Sequence, residues 1–356
     1  MTIKEMDMAR VEAFAGQMLG IMNEAALALM TSIGHQTGLF DTMAGLSRST
    51  SQQIAEAAGL NERYVREWLG ALVTGRIVDY DSADGTYSLP PEHAVSLTRS
   101  AGPRNMASVT QFVAMCGHVE EKVIDSFRNG GGVPYSAYPS FPGLMAEMSS
   151  ETFNTSLIDV TLPLVPGLIP RLKAGIDVAD LGCGYGHAVN LMAQAFPNSR
   201  VTGYDFNDES ITAARAEAAQ MGLTNAHFEM KDVAELDTPG QYDLVTAFDA
   251  IHDQAHPARV LEGIASSLRP DGMLLMIDIA ASSNLHENLD HPMGPFLYTN
   301  STMRCMTISL GLGGEGLGTM WGEQKARQML AEAGFSRVAV ESAPGDLNNC
   351  YIASKG

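Results

Sequence analysis

The sequence predicts an α/β protein: a doubly wound, seven-stranded sheet in the C-terminal half, preceded by a helical winged-helix domain. Three observations carry this. From about Gly175 onward, short apolar strands alternate with helical stretches, the pattern of a parallel sheet with helices on both faces. A glycine-rich turn, Asp180-Leu181-Gly182-Cys183-Gly184-Tyr185-Gly186, stands at the end of the first of those strands. Residues 51–89 read as two short helices, a tight glycine turn and a β-hairpin, which together make a winged helix-turn-helix.

The elements follow in order. Phe14, Met18, Ile21, Met22, Ala25, Leu29 and Ile33 recur at helical spacing. Ser51 is a candidate cap for the next helix, Gly59 can supply the left-handed turn that ends it, and Asn61 can cap the helix after that. Val65, Trp68, Leu69, Leu72 and Val73 give this last helix one apolar stripe. Residues 77–80 and 86–89 flank Asp81-Ser82-Ala83-Asp84-Gly85 as a hairpin. Residues 101–170, with Pro and Gly clustered among aromatics at 130–142, read as a helical connector that covers the site. Strands are expected at 178–181, 200–204, 227–230, 244–248, 273–277, 338–340 and 350–353, the last two as an antiparallel pair. The predicted domains are therefore 1–100, 101–170 and 171–356.

The 356 residues carry 22 Lys and Arg against 41 Asp and Glu, a formal charge of −19. Such a balance disfavours nucleic acid and anionic membrane surfaces as partners. Residues 1–100 hold seven basic and twelve acidic side chains, net −5, which leaves −14 for the rest. In the helix that DNA binding would use, Arg63 and Arg66 are offset by Glu62 and Glu67. The winged unit therefore reads as a dimerisation element, and no nucleic-acid or membrane partner is expected. Cys116, Cys183, Cys305 and Cys350 are too widely spaced for a disulfide framework or a Cys-rich zinc site, which suits a reducing compartment. The N-terminus lacks the pattern of a signal peptide, and the apolar stretch 19–29, interrupted by Asn23 and Glu24, falls short of a membrane span. A cytoplasmic location is expected.

Chemistry concentrates at strand ends. Glycines at 182, 184 and 186 let a ligand approach the backbone at the carboxyl edge of the sheet. The dinucleotide pattern G-x-G-x-x-G is not met, because position 187 is His. A carboxylate at Asp180 beside the loop suits a cationic ligand better than a pyrophosphate. Asp205, ending the second strand, can accept both hydroxyls of a ribose. Asp232, after the third strand, can accept from an adenine amino group.

The Asp-Leu-Gly-Cys-Gly run with Asp205 and Asp232 resembles class I S-adenosylmethionine-dependent methyltransferases over roughly residues 171–356, whose sheet is Rossmann-like. The resemblance implies S-adenosylmethionine as cofactor, with contacts from Asp180, Gly182, Gly184, Gly186, Asp205, Phe206, Asp232, Val233 and Phe248. The winged front half resembles small-molecule methyltransferases that act as dimers, and Phe153-Asn154 resembles an element found there before the catalytic domain. After the fourth strand, His252-Asp253 resembles the His-Asp pair in which the His deprotonates a hydroxyl; Gln254 departs from that pattern.

His252 is thus the expected catalytic base. Asp253, Tyr298, Met303, Met306 and Trp321 are the expected substrate pocket. The cluster from His286 to His291 has metal-ligand residue types but no helical spacing to hold them on one face, so it reads as a polar lid, and no metal is expected. The segment 311–322 lacks the Gly-Lys-Ser/Thr ending of a phosphate loop and reads as a flexible cover. The expected function is methyl transfer to a hydroxyl or other heteroatom of a small, largely apolar molecule by a homodimer. The alternatives are a winged-helix transcription regulator with an effector domain of the same fold, and a protein methyltransferase.

Overall fold

A computed structural model describes residues 6–343 and 347–356. Residues 1–5, part of the stretch read above for a signal peptide, lie outside the described residues. The chain divides into two compact units, Met1–Gly117 and His118–Gly356.

The first unit opens with a long helix, α1 (Met8–Gln36), and continues through α2 (Leu39–Ala44), α3 (Ser51–Ala58) and α4 (Glu62–Thr74) to the hairpin β1 (Asp79–Asp81) and β2 (Thr86–Ser88). Helix α3 is capped by Thr50, not Ser51. The Thr50 side chain accepts from Gln53 N and the Gln53 side chain answers to Thr50 N, a capping box that leaves Ser51 inside the first turn. Gly59 ends α3 with φ 66°, and Asn61 caps α4. Phe40, Ile54, Val65, Trp68, Leu69 and Leu72 form the core, with the Trp68 indole donating to the Met30 carbonyl of α1 at 2.8 Å. Only the last turns of α1 are buried this way. Its remaining apolar side chains, Phe14, Met18, Leu19, Ile21 and Met22 among them, are exposed.

The second unit is built on a seven-stranded sheet: β3 (Asp177–Leu181), β4 (Arg200–Asp205), β5 (Ala226–Met230), β6 (Tyr242–Phe248), β7 (Leu268–Ile279), β8 (Arg337–Ser342) and β9 (Asn348–Ser354), in the order β5-β4-β3-β6-β7-β9-β8. All pairings are parallel except those of β9 with β7 and β8. The central strands are buried along most of their length, as strands covered on both faces must be. One face packs around Val245, Leu261, Trp321 and Phe335, the other around Val189, Leu244 and Leu275. β7 is longer than the apolar run predicts. Its first residue, Leu268, pairs with Tyr242 and the register then shifts, so Arg269-Pro270-Asp271-Gly272 lies within the strand instead of before it.

Topology positions the site. Strand order runs outward from β3 through β4 to β5, and outward on the other side from β6, so the sheet reverses direction between β3 and β6. In open α/β sheets ligands bind outside the carboxyl ends of the strands at such a switch point. The glycine turn follows β3 there, and the His252 segment follows β6.

Candidate functional site

The turn after β3 is shaped by two kinds of glycine. Gly186 has φ 74° and caps the helix His187–Ala195; a Cβ there would lie 2.5 Å from the Phe228 ring and 2.6 Å from Ala214. It is a packing glycine. Gly184, at φ 52°, has no heavy atom within 4 Å of its Cβ position, so the middle of the turn faces open space. Its N–H donates to Asp205 Oδ2 at 3.0 Å, while Asp205 Oδ1 accepts from Asn207 N at 2.9 Å. Burial raises the Asp205 pKa, and these backbone donors oppose the rise.

Asp180 is buried, and its Oδ1 accepts from the Thr246 hydroxyl at 2.6 Å. Burial pushes its pKa up to about 7 against that hydrogen bond, and Asp205 adds to the rise. The Thr246 hydroxyl is a neutral donor, so a cation bound nearby would favour the charged form of Asp180. Asp232 caps the short turn Val233–Glu235 through Ala234 N at 2.9 Å, and Val233 is buried in the core. Phe206 is exposed and meets Tyr135 edge-on at 5.1 Å between ring centroids, and Phe248 meets Phe153 at 5.2 Å. The expected cofactor residues from β3, β4 and β6 thus stand at the carboxyl ends of neighbouring parallel strands. An open glycine turn with adjoining carboxylates fits a cationic, ribose-bearing cofactor.

Behind the turn lies a network that sequence reading missed. His187 Nδ1 is 2.6 Å from Glu217 Oε1 and its Nε2 is 2.9 Å from Asn154 Oδ1, while Asn190 donates to Glu217 Oε2 at 2.7 Å. Asn154 belongs to the helix Phe141–Ser156. The Phe-Asn element singled out in the sequence therefore ties that helix to the residue after Gly186.

Past β6 the chain turns through Asp249, which has φ 50°, and enters a buried charge cluster. His252 Nδ1 lies 2.7 Å from Asp278 Oδ1 at the end of β7, and its Nε2 lies 3.3 Å from Asp253 Oδ1. Asp253 Oδ2 pairs with Arg304 at 2.6 Å, and the buried Arg304 guanidinium stacks 3.4 Å above the Phe141 ring. Burial alone pushes the His252 imidazole down, but Asp278 and Asp253 outweigh it and hold the pKa well above its ordinary value. Burial also pushes Asp253 up, yet Arg304 and then His252 hold it well below the usual carboxylate range.

Several expectations change here. Asp253 is committed to Arg304 and His252 instead of lining a pocket. Trp321 belongs to the core under the sheet. Tyr298 is partly exposed and accepts from Asn288 Nδ2 at 3.2 Å. Met303 and Met306 are half-buried and flank Arg304, and the Met303 carbonyl accepts from the Tyr138 hydroxyl at 2.5 Å. The segment 311–322 is pinned: Gly314 N bonds Ser309 O, Glu315 N bonds Ala255 O, and Thr319 N bonds Ser301 Oγ. His286 is largely exposed and His291 Nε2 pairs with the Ala280 carbonyl, so the two do not converge. Among the described residues, the His/Cys/Asp/Glu group with ligand atoms close enough for a metal is His252, Asp253 and Cys305, into which Arg304 is already bonded.

Asp278, Arg304 and Asp249 escaped sequence reading for different reasons. Asp278 is an acid closing an apolar run and Asp249 an acid following a strand, signals present but not used. Arg304 sits in an irregular helical turn with no pattern to mark it.

Residues 172–334 match the family described as a methyltransferase domain, and residues 25–99 the family described as an Rv2258c-like winged HTH domain. The ubiquinone biosynthesis O-methyltransferase of Aeromonas salmonicida is 33% identical over 106 residues, covering 30% of this chain and 44% of that one. The chain spans about half or less of the first curated relatives it matches, at 36%, 44% and 50% of their lengths. Among solved structures, the mitomycin 7-O-methyltransferase MmcR superposes with a TM-score of 0.74 at 18% identity, over 98% of this chain and 100% of that one. Human N-acetylserotonin methyltransferase, solved with S-adenosylmethionine, gives 0.70 at 16% identity over the whole of both chains. At such identities the likeness is one of fold.

Residues 172–334 thus match a methyltransferase domain, and the fold is shared with solved methyltransferases. In this chain that domain follows a winged helix-turn-helix domain of the Rv2258c-like kind.

Proposed function

We propose that the protein transfers a methyl group from S-adenosylmethionine to a heteroatom, most readily a hydroxyl, of a small and largely apolar molecule. The observation that carries this reading is the glycine turn after β3, open at Gly184 and bounded by Asp180 and Asp205. Bound S-adenosylmethionine supplies an electrophilic methyl on a sulfonium. Asp205 and Asp232 hold the sugar and base ends, with Phe206, Val233 and Phe248 as apolar contacts. The buried carboxylate of Asp180 complements positive charge. Arg304, stacked on Phe141 and bonded to Asp253, fixes the wall from which Met303 and Met306 face the acceptor. Catalysis then rests on alignment, plus removal of the acceptor's proton into the cluster around His252.

The alternatives are weaker. In α4, Arg63 pairs with Glu67 at 2.5 Å and Arg66 with Glu62 at 3.2 Å, so the helix that would enter a DNA groove has its cations neutralised. No observation favours a protein acceptor.

The exposed apolar face of α1 supports a homodimer formed through the first unit. A patch running over much of a helix about 44 Å long needs a cover. The structure also revises the reading of this segment: at 29 residues, α1 is long and apolar enough, by length and composition, to cross a membrane. Glu12 and Glu24 within it, and the acidic charge of the chain, favour the dimer in the cytoplasm.

Two measurements test the reading. Calorimetry should show S-adenosylhomocysteine binding, and labelled methyl should pass to one class within a panel of phenols, thiols, amines and carboxylic acids. Failure to bind would sink the assignment. Light scattering should give a dimer that Met22→Glu dissociates.

A further inference from the structure

The cluster past β6 holds more acceptors than it satisfies. Asp278 Oδ1 is used twice, by His252 Nδ1 and by Ile279 N at 2.8 Å. Asp253 is held by Arg304 and His252. Together with Asp249, each of these acids has one buried oxygen with no hydrogen-bond partner among the described residues: Asp249 Oδ1, Asp253 Oδ1 and Asp278 Oδ2. Asp249 differs in its other oxygen. Its Oδ2 accepts a long bond, 3.4 Å, from the neutral Asn348 Nδ2 at the start of β9, where Asp253 and Asp278 each meet a cationic or imidazole partner. Buried polar atoms of this kind are rare in folded proteins and cluster where ligands or protons are handled.

Backbone and neighbours place Asp249 at the carboxyl end of β6, beside the glycine turn. Its φ of 50° lies in the left-handed region, sparsely populated outside glycine and common at functional sites. Its N–H is held by the Ile277 carbonyl at 2.9 Å. The next residue, Ala250, abuts the turn after β3: a Cβ on Gly182 would lie 2.7 Å from the Ala250 Cβ. The charged groups that face Asp249 are Asp278 from β7 and His252 and Asp253 from its own segment, with Asn348 from β9. His252 is already bracketed by two carboxylates. At neutral pH it carries its proton and is poorly suited to take another.

We propose that Asp249 receives the acceptor's proton, and that His252 is a fixed imidazolium that positions the cluster. This rests on the methyl-transfer reading and specifies an acceptor that presents a hydrogen-bond donor, a hydroxyl above all. The acceptor oxygen forms its bond to the methyl carbon, and the carbon–sulfur bond breaks with its electron pair going to sulfur. The O–H proton passes to Asp249, which becomes a neutral acid and then returns it to solvent. Burial, with Asp278 adding to it, pushes Asp249 up to about 7, in the range a base working at neutral pH requires.

Difference infrared spectroscopy of ligand-free protein is the direct test. Two carboxylic acids, Asp180 and Asp249, should contribute to a band titrating near neutral pH in the wild type. Asp249→Asn, a substitution that keeps a side chain tolerant of positive φ, should remove one share of it, and Asp180→Asn the other. On the phenols of the panel, Asp249→Asn should lower kcat about 100-fold or more. The neutral limb of the pH–rate profile should vanish, with S-adenosylhomocysteine affinity kept within about twofold. Asp249→Glu should restore part of the rate. His252→Gln should keep the neutral limb. An unchanged band in Asp249→Asn overturns the proposal, and so does a limb lost only in His252→Gln. Absence of S-adenosylhomocysteine binding by the wild type would instead remove the methyl-transfer reading beneath it, while the infrared result still decides which group holds the proton.

Discussion

The two edges of the central sheet use the same strands for opposite ends. At the amino edge, Asp177 of β3 and Asp243 at the start of β6 meet Arg171, Arg200 and Arg269 in an ion network. Arg200 reaches Asp177 at 2.5 Å, Arg269 reaches it at 2.7 Å and also bonds Asp243, and Arg171 reaches Asp243 at 3.4 Å. Arg269 enters this network because β7 begins at Leu268. At the carboxyl edge β3, β6 and β7 lead to Asp180, Asp249 and Asp278, where Asp278 alone of the three has an ion-pair partner among the described residues. Asp180 relies on a hydroxyl, Asp249 on one long amide bond, and Asp278 on an imidazole. Charge at one edge is spent within the fold, and at the other it is left for a ligand. That difference separates residues that stabilise from residues that act.

The contrast is tested most strongly by truncating one acid at each edge. Asp205→Ala removes an acceptor that holds Gly184 N and Asn207 N and that is proposed to hold the cofactor's ribose. In the proposed reading Asp205 accepts two ribose hydroxyls, bonds to a charged group worth together on the order of 3 kcal/mol, so S-adenosylhomocysteine affinity should fall about 100-fold. Asp243→Ala leaves Arg171 and Arg269 short of a partner and should cost about 2 kcal/mol in denaturant unfolding, with affinity unchanged. Affinity kept in Asp205→Ala and lost in Asp243→Ala would break the comparison.

The edges should also respond oppositely to pH. Burial pushes Asp177 up, but its hydrogen bonds to Arg269 and Arg200 hold the pKa below 3.8. A depressed carboxylate contributes stability that is present above its unfolded value and lost as pH falls through the folded one, so this edge fails only in acid. Asp180, raised to about 7, acts in the other sense: the folded state binds its proton more tightly, so stability declines as pH rises from about 4 to 7. Asp180→Asn, which still accepts from Thr246, should therefore gain on the wild type by on the order of 1–3 kcal/mol at pH 7.5 relative to pH 5 in denaturant melts. An equal difference at both pH values would show that Asp180 ionises freely and the edges do not differ.

This asymmetry also explains which features could be read from sequence. The alternating apolar runs marked all seven strands, because a strand buried on both faces must be apolar through its middle. Asp180, Gly184 and Asp205 were legible because strand ends and glycine turns have local signatures. The cluster around His252 was legible only in part. Asp278 lies 26 positions from His252 and Arg304 lies 51 from Asp253, and pairing at such separations is set by the fold. The same limit misplaced Trp321, whose aromatic character suits a pocket wall and a core equally. Asp249 offered only the signal of an acid following a strand, since its positive φ and its unpartnered oxygen arise only in the folded chain.

The smallest expected effect sharpens the comparison from within the amino edge. Arg200 is more than half exposed, and its carboxylate partner among the described residues, Asp177, is also bonded by Arg269. Water screens an exposed pair, and fixing a long side chain costs entropy, so such pairs contribute about 0–1 kcal/mol. Arg200→Ala should therefore lower stability by no more than that and leave S-adenosylhomocysteine binding untouched. Arg269→Ala should cost more, because it strips hydrogen bonds from Asp177 and Asp243 together. Denaturant melts of the two single variants and the double would show it directly. A loss for Arg200→Ala as large as for Arg269→Ala would mean that the network acts as one unit, with no central member.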